Sequence, residues 1–383
     1  MSARANWCFA AAAFVCFAAG VVLSHRIEPG VRVKKVILAK DTPALQFIPA
    51  NSGPHPVALL AHGITASKET LFRFGEAFAA AGFECYAVDL PGHGESVRPF
   101  SFNEAALALD GIARSLGSVN VFLGHSMGAY AGAGSARDGN LNSRLFIAVG
   151  ALPNLGEHGP PLLLLAGRFD EAFPPARLKA RTDARLVLSP WCDHAFEPWD
   201  SHLVKAAVEA ACAAVGKTPP VPPTQWRWRL LGMALGIAGG VGLALCLPAF
   251  PPRWAWVRGL LVPAIYIVAI TLTSSTWLGV APLLRRLPLY IAFAAIGLFI
   301  IIGAGRLRIP RWSFLAFTVA VWLGGLIAGA HIFAFFISLF ALILSVGTIL
   351  GAIAAHRGSR RAGDIALALF MGYALGQWIP IMY

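Results

Sequence analysis

The sequence predicts an α/β fold, a mostly parallel sheet covered by helices, with one apolar helix ahead of it and an all-α membrane part of six helices behind it. Three observations carry this. Short apolar strands alternate with helical stretches from Val31 to Gly216, the pattern of βαβ units. One long apolar run precedes that region and six follow it. The 383 residues are 57% hydrophobic and 13% charged, about half the charge of an ordinary soluble chain.

The net charge of +12 is unevenly placed. Residues 1–224 hold 19 Lys and Arg against 18 Asp and Glu, whereas residues 225–383 hold 12 Arg, no Lys and the single acid Asp364. The excess therefore flanks apolar runs, where Arg sets topology. The polar part has no basic patch with interleaved aromatics, which disfavours nucleic-acid binding. The six cysteines have no metal-ligand spacing. Cys8, Cys16, Cys85 and Cys246 read as small buried hydrophobes, and Cys192 and Cys212 could pair if their region is exported.

In chain order, Trp7–Ser24 is an apolar run of 18 residues after Arg4, long enough for an uncleaved membrane helix. Val31–Ala39 and Ala44–Ile48 read as a hairpin, and Pro56–Ala61 as a buried strand. Lys68–Ala81 has helical periodicity, with Leu71, Phe74 and Phe78 on one face. Strands follow at Phe83–Asp89, 119–123, Leu145–Ala151, Leu162–Ala166 and Ala184–Leu188. Helices are predicted at Asn103–Leu116, Ala129–Ala136 and Ser201–Val215. A Pro-rich stretch from Lys217 to Thr224 reads as a semi-rigid spacer.

Beyond it lie the apolar runs Leu230–Leu247, Gly259–Val280, Leu287–Ala304, Phe314–Gly329, Ile332–Ala354 and Ile365–Met382. Each is near the bilayer-spanning length of about 20 residues. Connections holding Arg253, Arg258, Arg306, Arg308, Arg311, Arg357, Arg360 and Arg361 face those holding Arg227, Arg229, Arg285 and Arg286. Eight Arg against four put the first side in the cytoplasm. The expected domains are an anchor over 1–25, an α/β unit over 31–216, a linker over 217–225 and a membrane part over 226–383. The expected location is the plasma (inner) membrane, with the α/β unit on the extracytoplasmic side. Within the membrane part, Thr271, Thr273, Ser274, Ser275 and Thr276 cluster near one helix end. Helical Ser and Thr commonly bond their own backbone carbonyls. His331 is placed in a tight turn on the outer side.

The chemistry is centred on Gly124-His125-Ser126-Met127-Gly128, a Gly-x-Ser-x-Gly pattern between a strand and a small-residue helix. This is the nucleophile elbow. Ser126 needs a turn too sharp for side chains on its neighbours, so glycines clear the space. A serine hydroxyl also needs a base, and the base a carboxylate to hold its tautomer. The chain order for such sites is Ser, acid, His. Asp170 follows the strand ending at Gly167, and His194 follows the last strand, so both fall at the carboxyl edge of the sheet. Asp193 and Glu171 are weaker rivals to Asp170. Glu197 is a brace for the His194 loop, and His62, His93 and His125 are structural. Trp191, Phe196 and Trp199 could line an acyl pocket or pack the closing helix.

Here the chain resembles the α/β-hydrolase family over roughly 31–216. Besides the elbow, Leu60-Ala61-His62-Gly63 resembles the His-Gly after the family's third strand. The resemblance implies that the backbone N–H groups of Ile64 and Met127 form the oxyanion hole. Asp89-Leu90-Pro91-Gly92-His93-Gly94-Glu95-Ser96 is similar to a turn of esterases and monoacylglycerol-lipase-like members. Gly167-Arg168-Phe169-Asp170 with Phe173-Pro174 resembles the acid-bearing turn. About 44 residues separate Ser126 from Asp170, too few for a sizeable helical lid, so the likeness is to compact, lidless members.

The expectation is a membrane-anchored serine hydrolase for small or short-chain carboxylic esters, with catalytic Ser126, Asp170 and His194. It needs no metal and no cofactor. Its partners are a small ester and the lipid bilayer. Lactonase, thioesterase and acyltransferase chemistry would use the same triad. A transporter or membrane scaffold with an accessory hydrolase is the alternative of a different class.

Overall fold

The computed structural model describes residues 3–274, 290–297, 332–356 and 359–378, with the single positions 299, 316 and 320. Eight strands form one sheet in the order β1-β2-β4-β3-β5-β6-β7-β8. They are β1 (Val31–Leu38), β2 (Thr42–Pro49), β3 (Val57–Ala61), β4 (Glu84–Val88), β5 (Val121–His125), β6 (Leu145–Val149), β7 (Leu162–Gly167) and β8 (Arg185–Ser189). β1 pairs antiparallel with β2, and β2 antiparallel with β4; every other pair is parallel.

Both faces of the sheet are covered, so its central strands are apolar on both sides. Leu60, Cys85, Ala87, Val121, Leu123, Ile147 and Leu165 point to one face, under α2 (Phe72–Ala80) and α6 (Ser201–Ala214). Their neighbours Leu59, Ala61, Phe122, Phe146, Ala148 and Leu164 point to the other, under α3 (Phe102–Leu116) and α4 (Met127–Arg137). Leu71, Phe74 and Phe78 are buried as their period predicts. Caps set two helix starts: the Glu104 N–H donates to Ser101 Oγ at 3.0 Å and the Leu203 N–H to Asp200 Oδ1 at 2.9 Å.

Two local differences from the sequence reading have physical causes. The expected helix Lys68–Ala81 opens as a tighter 3-10 turn over Lys68–Leu71. Asp89 pins that turn by accepting the Lys68 N–H at 2.8 Å. The short helix α5 (Pro175–Lys179) has too few residues to carry a readable period.

Helices from β3 and β5 leave on opposite faces, and these strands are neighbours, with Ala61 level with Gly124. Their carboxyl ends therefore splay open a crevice, the usual place for a site in such sheets. Residues 150–161 join β6 to β7 without a helix, as the short Ser126–Asp170 spacing requires.

Among the described residues, three helices are long and apolar enough to cross a membrane: Asn6–Ser24 within α1 (Ala3–Ser24), α7 (Trp226–Cys246) and α8 (Val257–Ser274). Helices Ile332–His356 and Arg360–Trp378 follow. The latter starts five residues before the expected Ile365 and takes in Arg360, Arg361 and Asp364. The run Phe314–Gly329, apart from positions 316 and 320, and half of Leu287–Ala304 lie outside the described residues, as do Ser275, Thr276, His331, Arg285, Arg286, Arg306, Arg308, Arg311 and Arg357. Thr273 and Ser274 hydrogen-bond the carbonyls of Ala269 and Ile270, one turn back.

α1 and α7 meet along a small-residue seam. A Cβ on Gly20 would strike the backbone of Gly236, one on Gly232 the backbone of Ser24, and one on Gly239 the backbone of Phe17. Close approach of this kind is how apolar helices associate where burial alone gives no drive.

The α/β unit is fastened to α7 by buried charge. Arg229 donates to both Glu76 carboxylate oxygens on α2, at 2.6 and 2.7 Å, and both residues are buried. Glu76 also accepts the Glu28 N–H at 2.8 Å. Glu28 in turn accepts the N–H groups of Thr224 and Gln225 at 3.0 and 3.1 Å, at the positive end of α7. Arg258 is likewise buried, donating to the carbonyls of Leu247, Pro248, Ile353 and Ala354 at two helix ends. Two arginines in the topology count are thus occupied within the protein rather than facing headgroups.

Arg229→Ala leaves the Glu76 carboxylate buried and without its countercharge. We expect a loss of about 3–5 kcal/mol, read as a lower thermal midpoint of the detergent-solubilised chain. Glu76→Leu combined with Arg229→Met should recover most of it. Gly239→Leu, whose side chain would meet the α1 backbone at Ala13 and Phe17, should separate α1 from α7, and the midpoint should fall relative to the parent.

Candidate active site

β5 ends at His125, and Ser126 takes φ 48° and ψ −116° before α4 begins at Met127. A non-glycine residue at positive φ is strained, and such strain concentrates at functional turns. Its neighbours make the turn possible. A Cβ on Gly124 would collide with the backbone of Ala129, and one on Gly128 with the carbonyl of Ala61. The Ser126 N–H is held by the Val149 carbonyl at 2.9 Å. The turn thus lifts the hydroxyl above the sheet rim.

Asp170 stands after β7 and is buried. Its Oδ1 accepts the N–H groups of Ala172 and Phe173 at 2.8 and 2.7 Å, a side-chain turn that fixes the carboxylate. His194 stands in the loop after β8. Its Nδ1 lies 3.2 Å from Asp170 Oδ2 and its Nε2 3.1 Å from Ser126 Oγ. These contacts select the Nδ1–H tautomer, in which Nδ1–H donates to Asp170 and Nε2 accepts from the serine hydroxyl. Three side chains distant in sequence therefore form one hydrogen-bonded line at one rim of the sheet.

The loop after β3 closes against the elbow. A Cβ on Gly63 would lie 2.8 Å from His125 Nδ1 and 3.2 Å from Ser126 Cβ. Ile64 follows it, half-buried, and Met127 is the buried first residue of α4. Thr65, with φ 62°, turns the same loop away.

The profile of the alpha/beta hydrolase family matches residues 58–337. The chain belongs to the alpha/beta hydrolase family. No curated protein matches it. Several solved structures are similar in part. A Thermus thermophilus protein is 22% identical, with 49% of this chain and 97% of that chain covered and a TM-score of 0.37. A monoacylglycerol lipase of Paleococcus ferrophilus is 19% identical over 48% of this chain and 99% of its own, with a TM-score of 0.37. A thermophilic esterase of Thermogutta terrifontis is 18% identical over 48% and 99%, with a TM-score of 0.39.

This hydrolase surrounds the line of three with polar groups that the sequence reading underrated. Glu197, expected only to brace a loop, is fully buried behind the imidazole. Its Oε1 accepts the Gly167 N–H at 2.7 Å, tying β7 to the His194 loop. Its Oε2 lies 3.7 Å from His194 Nδ1 and 3.6 Å from His125 Nε2. Burial, then the nearby Asp170 charge, pushes the Glu197 carboxyl well above its ordinary range. Asp170 is buried too, but its hydrogen bond to His194 and the imidazole's charge outweigh that and hold it below its ordinary value. The two carboxyls are driven apart, Asp170 toward its charged form and Glu197 toward its neutral one, as like charges in a dry site favour.

The other expected roles sort clearly. Burial, then repulsion by His194, lowers His125 to about 3, so it is neutral, and its Nε2 lies 3.3 Å from the His194 carbonyl. His62 is neutral, lowered by burial to about 4; its Nδ1–H donates to the Gly63 carbonyl at 2.7 Å and its Nε2 accepts the Leu90 N–H at 3.1 Å. It fixes the loops after β3 and β4. His93 lies 2.8 Å from the Pro91 carbonyl. Of the rivals to Asp170, Glu171 accepts the His194 N–H at 3.3 Å and Asp193 the Phe196 N–H at 3.0 Å. Each is engaged with backbone. Trp191 and Phe196 are exposed rather than packed under the closing helix. Cys192 and Cys212 are buried free thiols.

Lys68 had no assigned role. It is buried, with Nζ 2.6 Å from Asp89, 2.9 Å from Glu95 and 3.1 Å from Glu69. Burial would lower its pKa, but Asp89 and Glu69 outweigh it and raise the ammonium above its ordinary range. This cluster locks the start of the β3–α2 segment to the turn after β4. Nothing in a lone Lys-Glu pair marks it in sequence.

Among the described residues, ligand atoms of His125, His194 and Glu197 lie within 4.8 Å of one another, a spacing that could hold a metal ion. An ion there would take the His194 Nδ1 electron pair and displace the Asp170 hydrogen bond. Metal binding and the Ser126–His194–Asp170 line are therefore mutually exclusive.

The raised Glu197 pKa has a testable sign. Its folded value exceeds the unfolded one of about 4.3, so the native state holds the extra proton and its contribution to stability is lost as pH rises toward the folded value. Glu197→Gln keeps an acceptor for Gly167 and a permanent donor toward Asp170. The midpoint of the variant minus that of the parent should grow from pH 5 to pH 9.

Proposed function

We propose that this chain is a membrane-anchored serine hydrolase of carboxylic esters, in which Ser126 is the nucleophile, His194 the general base and acid, and Asp170 the orienting carboxylate. The observation that carries the reading is the continuous line from the Ser126 hydroxyl through both nitrogens of His194 to Asp170, 3.1 and 3.2 Å long at its two links. Ser126 Oγ attacks the ester carbonyl while His194 Nε2 takes its proton. The tetrahedral oxyanion is received by the N–H groups of Ile64 and Met127, the latter at the positive end of α4. Protonated His194 then gives its proton to the departing alkoxide, leaving an acyl-serine. Water, deprotonated by His194, attacks that acyl group and releases the acid. Asp170 stays ionised throughout and holds the imidazole in the Nδ1–H form.

No helix covers the site between β6 and β7, which suits acyl groups that are small or presented from an exposed surface. The three apolar helices support membrane attachment. The Arg asymmetry supports an extracytoplasmic position for the hydrolase in the plasma (inner) membrane.

The full-length chain in detergent should hydrolyse p-nitrophenyl butyrate, and a fluorophosphonate should add its mass to the peptide holding Ser126. Ser126→Ala should lower kcat by at least about a thousandfold and abolish labelling. Asp170→Asn should lower kcat by about 10⁴-fold by favouring the wrong tautomer, as in serine-protease triads. Full turnover by a folded Ser126→Ala protein would refute the assignment.

A further inference from the structure

The start of α7 carries the aromatic and cationic side chains that mark a headgroup level. The Arg26 guanidinium lies 5.4 Å over the Trp228 ring, and Arg227 lies 5.6 Å over Trp226. Arg73, from α2, stacks on the same Trp226 at 4.3 Å. Arg73 reaches the other way as well. It donates to the Trp199 carbonyl and, at 3.0 Å, to Ser201 Oγ. Trp199 closes the loop that holds His194. One guanidinium therefore bridges the first turn of an apolar helix and the loop of the candidate base.

That loop and its neighbour expose aromatics to solvent. Trp191 is 84% exposed, Phe196 60% and Phe169 42%. Phe196 packs edge-on against Trp199 at 5.9 Å. Phe169 precedes Asp170, and its N–H donates to the Cys192 carbonyl at 3.1 Å, joining the Asp170 turn to the His194 loop. The three rings thus fringe the rim that holds the candidate triad. Exposed aromatics gathered at one rim mark an interaction surface more often than aromatics scattered singly. Beside an Arg–Trp belt continuous with a bilayer-length helix, the occupant that fits is the bilayer surface itself.

We infer that the rim bearing Phe169, Trp191 and Phe196 rests on the membrane entered by α1 and α7, and that the substrate is a lipid ester reaching Ser126 from that bilayer. This rests on the ester-hydrolase reading and deepens it. The bilayer takes the place of the missing lid: it keeps acyl chains out of water and offers the ester at the depth where the rings sit. The reaction is unchanged in its balance. The acyl C–O bond breaks, the alcohol leaves with the proton from His194, and water supplies the oxygen of the free acid.

The test uses the full chain in vesicles of phosphatidylcholine and phosphatidylglycerol containing monoolein, with p-nitrophenyl butyrate as the water-soluble ester. The parent should hydrolyse both. The double variant Trp191→Ser, Phe196→Ser should lose about tenfold or more of its monoolein turnover and less than about twofold on p-nitrophenyl butyrate. An unchanged ratio of the two activities would overturn the inference. So would a parent that hydrolyses p-nitrophenyl butyrate but not monoolein, and the ester-hydrolase reading would then stand. A parent inactive on both, with Ser126 unlabelled by fluorophosphonate, would bring down both. A double variant with an unchanged ratio but a smaller oligomeric mass in detergent would assign the fringe to a second copy, and would overturn the inference as well.

Discussion

Ser126 is held where few side chains can go. Its positive φ puts the hydroxyl above the sheet rim, and the turn exists only because two flanking positions lack a Cβ. On one side Gly124 lies against the first turn of α4; on the other Gly128 lies against the end of β3. The same close approach sets β3 and β5 side by side and presents the loop after β3 to the serine. The strain is local, and the surrounding sheet, buried on both faces, supports it.

Behind the serine, the site is a problem in satisfying buried polar groups. Asp170 and Glu197 are both removed from water near one imidazole. Only one of them can be charged without large cost. His194 favours the charge on Asp170, while burial favours the neutral form of Glu197, which anchors Gly167. On the other flank, Lys68 gathers three carboxylates and joins two loops. A buried ion cluster of this kind contributes little net stability. What it does contribute is one fixed relation between the loop after β3 and the turn after β4.

The attachment of the α/β unit to the apolar helices follows the same logic. Arg229 belongs by sequence to the apolar helix α7 and by contact to α2, where Glu76 meets it with two hydrogen bonds. Glu28 meets the open N–H groups at the start of α7. Arg258 collects carbonyls from two helix ends. Charges that flank apolar runs read from sequence as topology signals, but two of them are structural. The stacked Arg73 then relates this junction to the loop of His194.

Much was legible in the sequence because it is written locally. Strand and helix alternation, the apolar period of α2, and the Gly-x-Ser-x-Gly turn are all short-range patterns, since backbone geometry within a few residues decides them. Asp170 and His194 could be picked out because each follows a strand in the order such sites use. Other features were not legible, because they exist only when distant segments meet. Glu197 looks like a loop residue until β7 and the imidazole close over it. Lys68 looks like a surface cation until Asp89 and Glu95 reach it from the next turn. Trp191 and Phe196 read equally as pocket lining or as packing for the closing helix until the fold leaves them exposed. The chain by itself determined which residues could form strands, turns and caps, through torsional and hydrophobic preferences acting over a few positions. Tertiary structure alone decided which charges are buried, which carboxyl keeps its proton and which aromatics face outward, because desolvation depends on what packs around a group and not on its neighbours in sequence.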